Sequence, residues 1–562
     1  VTRASFARHA ASLALLATLI SLQTGWIRAS TCATFDEWTY LKLGYRIFKY
    51  GDFACMASPM APPLPILLEY WLPSLRFQSL PDDPTWEAEE PTRIREARFL
   101  TATFIGVPLV WAVYLWMAQR RGWLAATLAG LLVAFSPTVL ASAAIATTDA
   151  CFVLFAVLAL GALWTYHDRP SRGTFGLLGV ALGLALAAKQ SAVVLIPSVA
   201  IEVALVAWRR RTGANRLTMG LRTTISTLIR IFILAVLAFG VDWALYGFGR
   251  GPSFQSGLAH AYIPVIIPMV TGLFPRGEAF MDALRVWRPP LAWDTLEGQL
   301  DHAAHGHPAF LMGQRSNQGW WYFFPVAIAI KSTPAELLMF GSVLIRVFRR
   351  VIWVDPARRV WLGASLSLLA AGMKSSINIG QRYMLLIYPL LIILTVDLLA
   401  SLGRRRPRLA ISIGLALVGW QATSALSVAP HELAYFNSFC GGPSEGYRYL
   451  VDSSLDWGQD LPSLRRELEA RGYRKVAFMY FGTASERAFG LRSIPYSAGD
   501  DPVAQGCDFL AISATSLTGT YGGDTRLLQA LDSVPSARAG YSIFIYDLKD
   551  PKVREAVNSL RR

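Results

Sequence analysis

The chain has 562 residues, of which 53% are hydrophobic and only 16% charged, with a formal net charge of +15. A soluble domain carries about 25% charged residues, so an ordinary soluble protein is excluded, and the abundant apolar surface excludes disorder. Five cysteines without CxxC spacing exclude a disulfide scaffold and a zinc ribbon. The basic residues sit in short gaps between apolar blocks with no aromatic–basic motif, which argues for membrane topology and against nucleic acid as a partner.

Eleven apolar runs are long enough to read as spans. They lie near 10–29, 99–118, 123–141, 150–166, 174–188, 191–208, 223–245, 321–345, 360–373, 383–401 and 409–428. The first follows Arg3 and Arg8 and has no small-x-small cleavage site before Thr31, so it reads as an uncleaved signal anchor. Alternate loops divide the cations unequally. One set, with clusters such as Arg209–Arg211 and Arg404–Arg406, holds 20 Lys and Arg, and the short loops of the other hold only Lys189, Lys374 and Arg382. This bias predicts a multi-pass protein of the plasma (inner) membrane with a cytoplasmic N-terminus and an extracytoplasmic C-terminus.

Three polar segments then fall outside: loops 30–98 and 246–320, and the tail 430–562, which divides from a membrane part spanning 1–429. In the tail, Lys475–Phe481, Phe509–Ser513 and Tyr541–Tyr546 read as strands and Leu461–Arg471 as a helix. The expected fold class is an α-helical polytopic membrane protein with a small C-terminal extracytoplasmic α/β domain.

The residues that carry chemistry cluster at the outer level. Asp36 and Glu37 directly follow the first span, and two carboxylates at a membrane face are costly unless used or hydrated. A carboxylate beside a low-dielectric wall serves as a base; the plain alternative is that Asp36 caps a helix beginning there. Asp149, in the short outer turn Ala146–Ala150, carries the same two readings. Arg98, Lys189, Lys331 and Arg382 are predicted at the same level. Each alone reads as a cation snorkelling to lipid headgroups. Four together, beside two acidic sites, point to an anionic ligand at the outer leaflet.

His302, His305 and His307 permit metal ligation by spacing, but a hydrated polar loop explains them as well. Trp320–Phe324 reads as an interfacial aromatic belt. An oxidising exterior permits the pairs Cys32–Cys55 and Cys440–Cys507, with connectivity open.

These pieces, taken in order, resemble the C-type membrane glycosyltransferases (GT-C) of the protein O-mannosyltransferase-like family. The matching elements are Asp36-Glu37, Pro62-Pro63-Leu64, Arg98, Ser136-Pro137 and Thr148-Asp149, then Trp321–Pro325 with Lys331–Pro334, and Gly380–Tyr383 with Tyr388-Pro389. The tail stretch His431–Asn437, running through Gly441-Gly442-Pro443 to Asp452–Asp460, is similar to one bacterial branch.

The resemblance implies an inverting enzyme that moves a sugar from a polyprenyl-phosphate donor in the membrane lipid to an extracytoplasmic protein, lipid or glycan acceptor. It implies Asp36 as general base, Glu37 placing the acceptor, Arg98 holding the donor phosphate, and Asp149 near the catalytic carboxylates. One position departs. Members often carry His or Lys before Pro-Pro-Leu, where this chain has Ala61, so one phosphate or metal contact lacks a counterpart. Lys189, Lys331 or Arg382 is the expected substitute. No cofactor is assigned, and a divalent cation stays an option without named ligands. The rival reading from another class is a membrane transporter or lipid flippase, against which stand the absence of an inverted repeat and the gathering of polar residues at one face.

Overall fold

The computed structural model describes residues 3–79, 83–209, 216–250, 290–348 and 355–561. Much of the expected second outer loop (251–289) lies outside the described residues, as do parts of the cationic loops near 210 and 350.

Every expected span overlaps helical backbone, two of them with a non-helical break between α-helices inside. Among the described residues, six helices are long and apolar enough to cross a membrane unaided: Ala4–Ser30, Thr85–Arg121, Thr148–Asp168, Gln190–Trp208, Thr224–Leu245 and Pro407–Leu426. A seventh candidate is the pair Trp123–Ala134 and Pro137–Ala144, bent by 68°. Arg172–Ala188 and Ile387–Gly403 are shorter apolar helices.

The breaks have chemical causes. The expected span 321–345 is two helices, Phe323–Lys331 and Pro334–Phe348. The first helix ends at Lys331 with Ser332 extended at ψ 145°, and Pro334 opens the second at its first position, where a missing N–H costs nothing. The chain then restarts through a reciprocal cap. Thr333 N–H donates to Glu336 Oε2 at 2.8 Å, and Glu336 N–H donates to Thr333 Oγ1 at 3.0 Å. Pro137 acts likewise after the extended Ser136. These interruptions leave Lys331 at a helix end, where its amine reaches backbone carbonyls of the tail.

Thr148–Asp168 holds 21 residues and is about 30 Å long, enough to cross the hydrocarbon core. Asp149 sits at its start and His167 near its end. On the His167 side Asp397 accepts from Arg120, Arg121 and Arg358 at 2.9, 2.5 and 2.7 Å, and Glu202 accepts from Arg359 at 2.6 Å. The acidic side chain at 397 is thus consumed by structural pairing.

The tail carries a five-stranded sheet. A two-stranded hairpin, β1 (Ala309–Leu311) and β2 (Gln314–Ser316), precedes it. The sheet comprises β3 (Val476–Met479), β4 (Ser493–Pro495), β5 (Phe509–Ser513), β6 (Ala537–Ala539) and β7 (Ile543–Asp547), in the order β4-β3-β5-β7-β6. β3 runs parallel to β4 and β5, and β7 antiparallel to β5 and β6. The three expected strands are β3, β5 and β7, and the expected helix is Leu461–Ala470. The edge strands β4 and β6 are three residues each, too short for an alternation signal. Packing does not stop at residue 430. One cluster of buried apolar side chains runs from Leu16 and Leu160 through Phe436 and Leu450 to Leu510 and Leu560.

All five cysteines are buried and free, so neither expected disulfide is formed. Cys32 Sγ instead donates to Gly458 O at 3.1 Å, and burial pushes its thiol up to about 12. Cys55 donates to Asp52 O at 2.9 Å.

Candidate active site

Asp36 and Asp149 occupy equivalent places, each in the first turn of a helix. Neither is the N-cap. Those positions belong to Thr34 and Thr147, both extended, so the capping alternative does not account for either carboxylate. The helix dipole favours a negative charge at both places.

Arg382, in the short helix Gln381–Met384, joins them. Its Nη1 donates to Asp36 Oδ2 at 3.1 Å and to Asp149 Oδ2 at 3.2 Å. Lys189 follows Arg172–Ala188 and donates to Asp149 Oδ1 at 2.6 Å. Four of the seven predicted residues therefore form one cluster of two anions and two cations.

The two carboxylates differ in access. The Asp149 side chain is 3% exposed and has both oxygens engaged, whereas the Asp36 side chain is 30% exposed. Among the described residues Asp36 makes one side-chain ion pair, through Oδ2. An incoming hydroxyl can reach Asp36 and cannot reach Asp149. The aromatic ring of Tyr383 lies 4.3 Å from Lys189 Nζ, which adds a favourable face for the cation.

Glu37 and Arg98 form a separate, sealed unit. Arg98 Nε and Nη2 donate to the two Glu37 oxygens at 2.8 and 2.7 Å. Its remaining donors go to Thr31 O, Thr31 Oγ1 and Cys32 O. All five guanidinium N–H groups are spent, and the residue is 1% exposed. Glu37 also accepts from Thr34 N, Thr34 Oγ1 and Ala146 N. In this structure neither group has a free hydrogen-bonding position for a phosphate or an acceptor hydroxyl. Together they tie the start of the Asp36 helix to the turn that leads into Asp149.

Lys331 lies apart from the carboxylates. Its Nζ donates to Leu433 O at 2.7 Å and to Ser454 O, and sits 4.4 Å from the Phe436 ring centre. It shares a polar cavity with Arg382, Thr138, Ser142, Glu432 and Ser453. The cavity measures about 20 Å³, room for one water-sized group. A larger apolar groove of about 390 Å³ between Leu124–Leu131 and Val396–Val418 contains no carboxylate and lies away from this chemistry.

Sequence reading missed the contribution of the tail. Arg382 Nε donates to Ser453 Oγ at 3.1 Å, and its guanidinium carbon lies 4.1 Å from the Trp457 ring centre. Tyr521 donates to Asp452 and stacks on Phe481 at 5.2 Å, which stacks on Phe35 at 5.4 Å. The motif Asp452–Asp460 was visible in the sequence, but nothing local in it indicates a partner more than 70 residues away.

His302 and His305 end the helix Leu291–His305, and the His302 ring lies 5.4 Å from that of His307. Among the described residues no group of three or more His, Cys, Asp or Glu is placed to hold a metal ion. Asp36 and Asp149 do not fit a divalent cation as arranged, since Arg382 and Lys189 already occupy their facing oxygens.

Residues 11–256 match the model of a family described as dolichyl-phosphate-mannose-protein mannosyltransferase. No curated protein matches the sequence. Among solved structures, the chain is similar to the Archaeoglobus fulgidus oligosaccharyltransferase tethered with an acceptor peptide, with TM-score 0.50 and 12% identity over 93% of this chain and 72% of that one. It is also similar to ArnT from Cupriavidus metallidurans bound to undecaprenyl phosphate, with TM-score 0.43 and 12% identity over 95% and 97%. A shorter match is the S. cerevisiae protein O-mannosyltransferase Pmt1-Pmt2 complex bound to the sugar donor, with TM-score 0.32 and 17% identity over 42% and 33%.

Proposed function

We propose that this chain, a membrane glycosyltransferase of the C type with the protein mannosyltransferase family model over residues 11–256, transfers a sugar from a polyprenyl-phosphate donor to an extracytoplasmic hydroxyl with Asp36 as general base. The observation that carries this reading is the shared Arg382, which holds an accessible carboxylate and a buried one in a single cluster.

The roles follow from access and charge. Asp36, through its exposed side, takes the proton from the acceptor hydroxyl. The acceptor oxygen attacks the anomeric carbon as the bond to the phosphate oxygen breaks, so the configuration inverts and the electron pair leaves with polyprenyl phosphate. The proton on Asp36 then passes to water. A base works within hydrogen-bond reach of the proton it removes, and the 30% exposure of Asp36 permits that approach.

Negative charge grows on the departing phosphate, and preplaced cations lower that barrier. Arg382 and Lys331, which share the polar cavity, are assigned to the phosphate. Asp149 and Lys189 hold Arg382 at its place. Glu37 and Arg98 are assigned a positioning role. No step runs through a metal ion. The acceptor class (protein, lipid or glycan), the extracytoplasmic side for the tail and the domain division near 429 belong to the same proposal.

The reading is tested by giving purified protein in nanodiscs a panel of radiolabelled polyprenyl-phosphate sugars with membrane extract as acceptor source. Release of polyprenyl phosphate with one sugar transferred supports it. No release with any donor that binds contradicts it.

A further inference from the structure

The segment Asp452–Asp460 has no role in the chemistry described above, yet it touches the site at more places than any other part of the tail. Ser453 Oγ accepts from Arg382 Nε at 3.1 Å, and the Trp457 ring faces the guanidinium at 4.1 Å. Ser454 Oγ accepts from Gln381 N at 3.3 Å, and Ser454 O accepts from Lys331. On the other side, Phe35 N donates to Trp457 O and Cys32 N to Gln459 O, both at 2.9 Å. The segment thus bridges the residue before Asp36 and the cation that Asp36 binds.

It is itself held firmly. Asp452, at φ +54°, accepts from Tyr521. Asp456 Oδ2 accepts from Thr515 N at 2.8 Å, and Asp460 Oδ2 from Ser542 Oγ at 2.7 Å. These anchors lie on the short helix Ala514–Leu517 that follows β5, in the turn after it and just before β7, so the connections of the sheet fix the segment and the segment fixes the site.

Arg382 needs such a fixture. Its flexible side chain must lie between two carboxylates, and a guanidinium held by two oxygens at 3.1 and 3.2 Å through one nitrogen is free to pivot. A hydroxyl on Nε and an aromatic face over the plane remove that freedom.

We infer that Ser453 and Trp457 are positioning residues for Arg382, so that the C-terminal domain completes the catalytic site. This rests on the reading of Asp36 and Arg382 given under Proposed function. The backbone supplies an independent probe. A Cβ added to Gly380 falls 2.3 Å from Ser453 Oγ, so Gly380→Ala must turn that hydroxyl away from Arg382 without removing a polar group. Gly380 is extended at φ −163°, which alanine adopts without strain.

The experiment measures polyprenyl phosphate release and donor KM for the full chain and for Trp457→Ala, Trp457→Phe, Ser453→Ala and Gly380→Ala. The melting temperature in detergent confirms the fold of each. Misplacing a catalytic group by about 1 Å costs roughly 100-fold. Trp457→Ala and Gly380→Ala are expected to lose about that much kcat, with donor KM moving less than about 3-fold, while Trp457→Phe keeps most of the activity. Overturning results are kcat within about 3-fold of the parent in both variants, or a Phe variant as impaired as Ala. Should Trp457→Ala fail to fold, Gly380→Ala and the Phe variant decide. An active Asp36→Asn control would instead bring down the underlying reading.

Discussion

Arg98 and Glu37 face each other through two hydrogen bonds, 2.8 and 2.7 Å long, in a place almost closed to solvent. Both belong to the short motifs that carry the family resemblance, and both are spent on each other and on the backbone beside them. A buried pair of this kind is best understood through what its rupture costs.

Removing one partner leaves the other charged and unpaired, at a cost of about 3–5 kcal/mol. Arg98→Ala is therefore expected to lower thermal stability in detergent by that order. Arg98→Lys keeps the charge and loses the fork; it is expected to bind polyprenyl phosphate as the parent does wherever it folds. A folded Arg98→Lys protein without polyprenyl phosphate affinity would make Arg98 a phosphate ligand after all.

Asp149 and Lys189 act as one unit at 2.6 Å. Asp149→Asn and Lys189→Met should each reduce turnover by about 10- to 100-fold, and the double variant should be no worse than the poorer single one, because residues in contact are not additive. Independent losses that multiply would separate the two residues.

The tail should weaken as pH rises. Burial pushes the Asp456 carboxyl up to about 8, with Thr515 N–H as its main compensating contact. A folded-state value above the unfolded one means that the folded form binds the extra proton. The stability this provides is complete below about pH 4 and is lost as pH climbs toward 8. Asp456→Asn removes the titration, so its melting temperature should exceed the parent's near pH 8 and approach it near pH 4. Parallel curves for the two proteins across that range would contradict the assignment.

The thiols give a simple check. Denatured, unreduced protein should titrate five thiols per chain, in line with five free buried cysteines. Three or one would restore one or both of the disulfides that an extracytoplasmic location permits.

The parts legible from sequence were those written in local pattern. Apolar runs placed helices under every expected span, since hydrocarbon length sets their size. The same averaging hid the break at Ser332, because a hydropathy window weighs Pro334 as one residue, although proline opens a helix and does not continue one. Asp36, Asp149, Lys189 and Arg382 could be grouped because each stands where a span meets its outer loop. Which of the charges are already paired cannot be read from spacing, and the phosphate role of Arg98 rests on the family resemblance, which carries no information on pairing. Ser453 and Trp457 meet Arg382 only through tertiary packing, so no spacing along the chain reveals them.

The central claim is that Asp36 removes the acceptor proton. The most direct measurement is single-turnover release of polyprenyl phosphate from a bound polyprenyl-phosphate sugar by the parent protein and Asp36→Asn, with donor binding determined in the same samples. The account predicts equal donor binding within a few-fold and release slowed by about 100- to 10,000-fold in the variant. Release at the parent rate from a folded, donor-binding Asp36→Asn protein would contradict it.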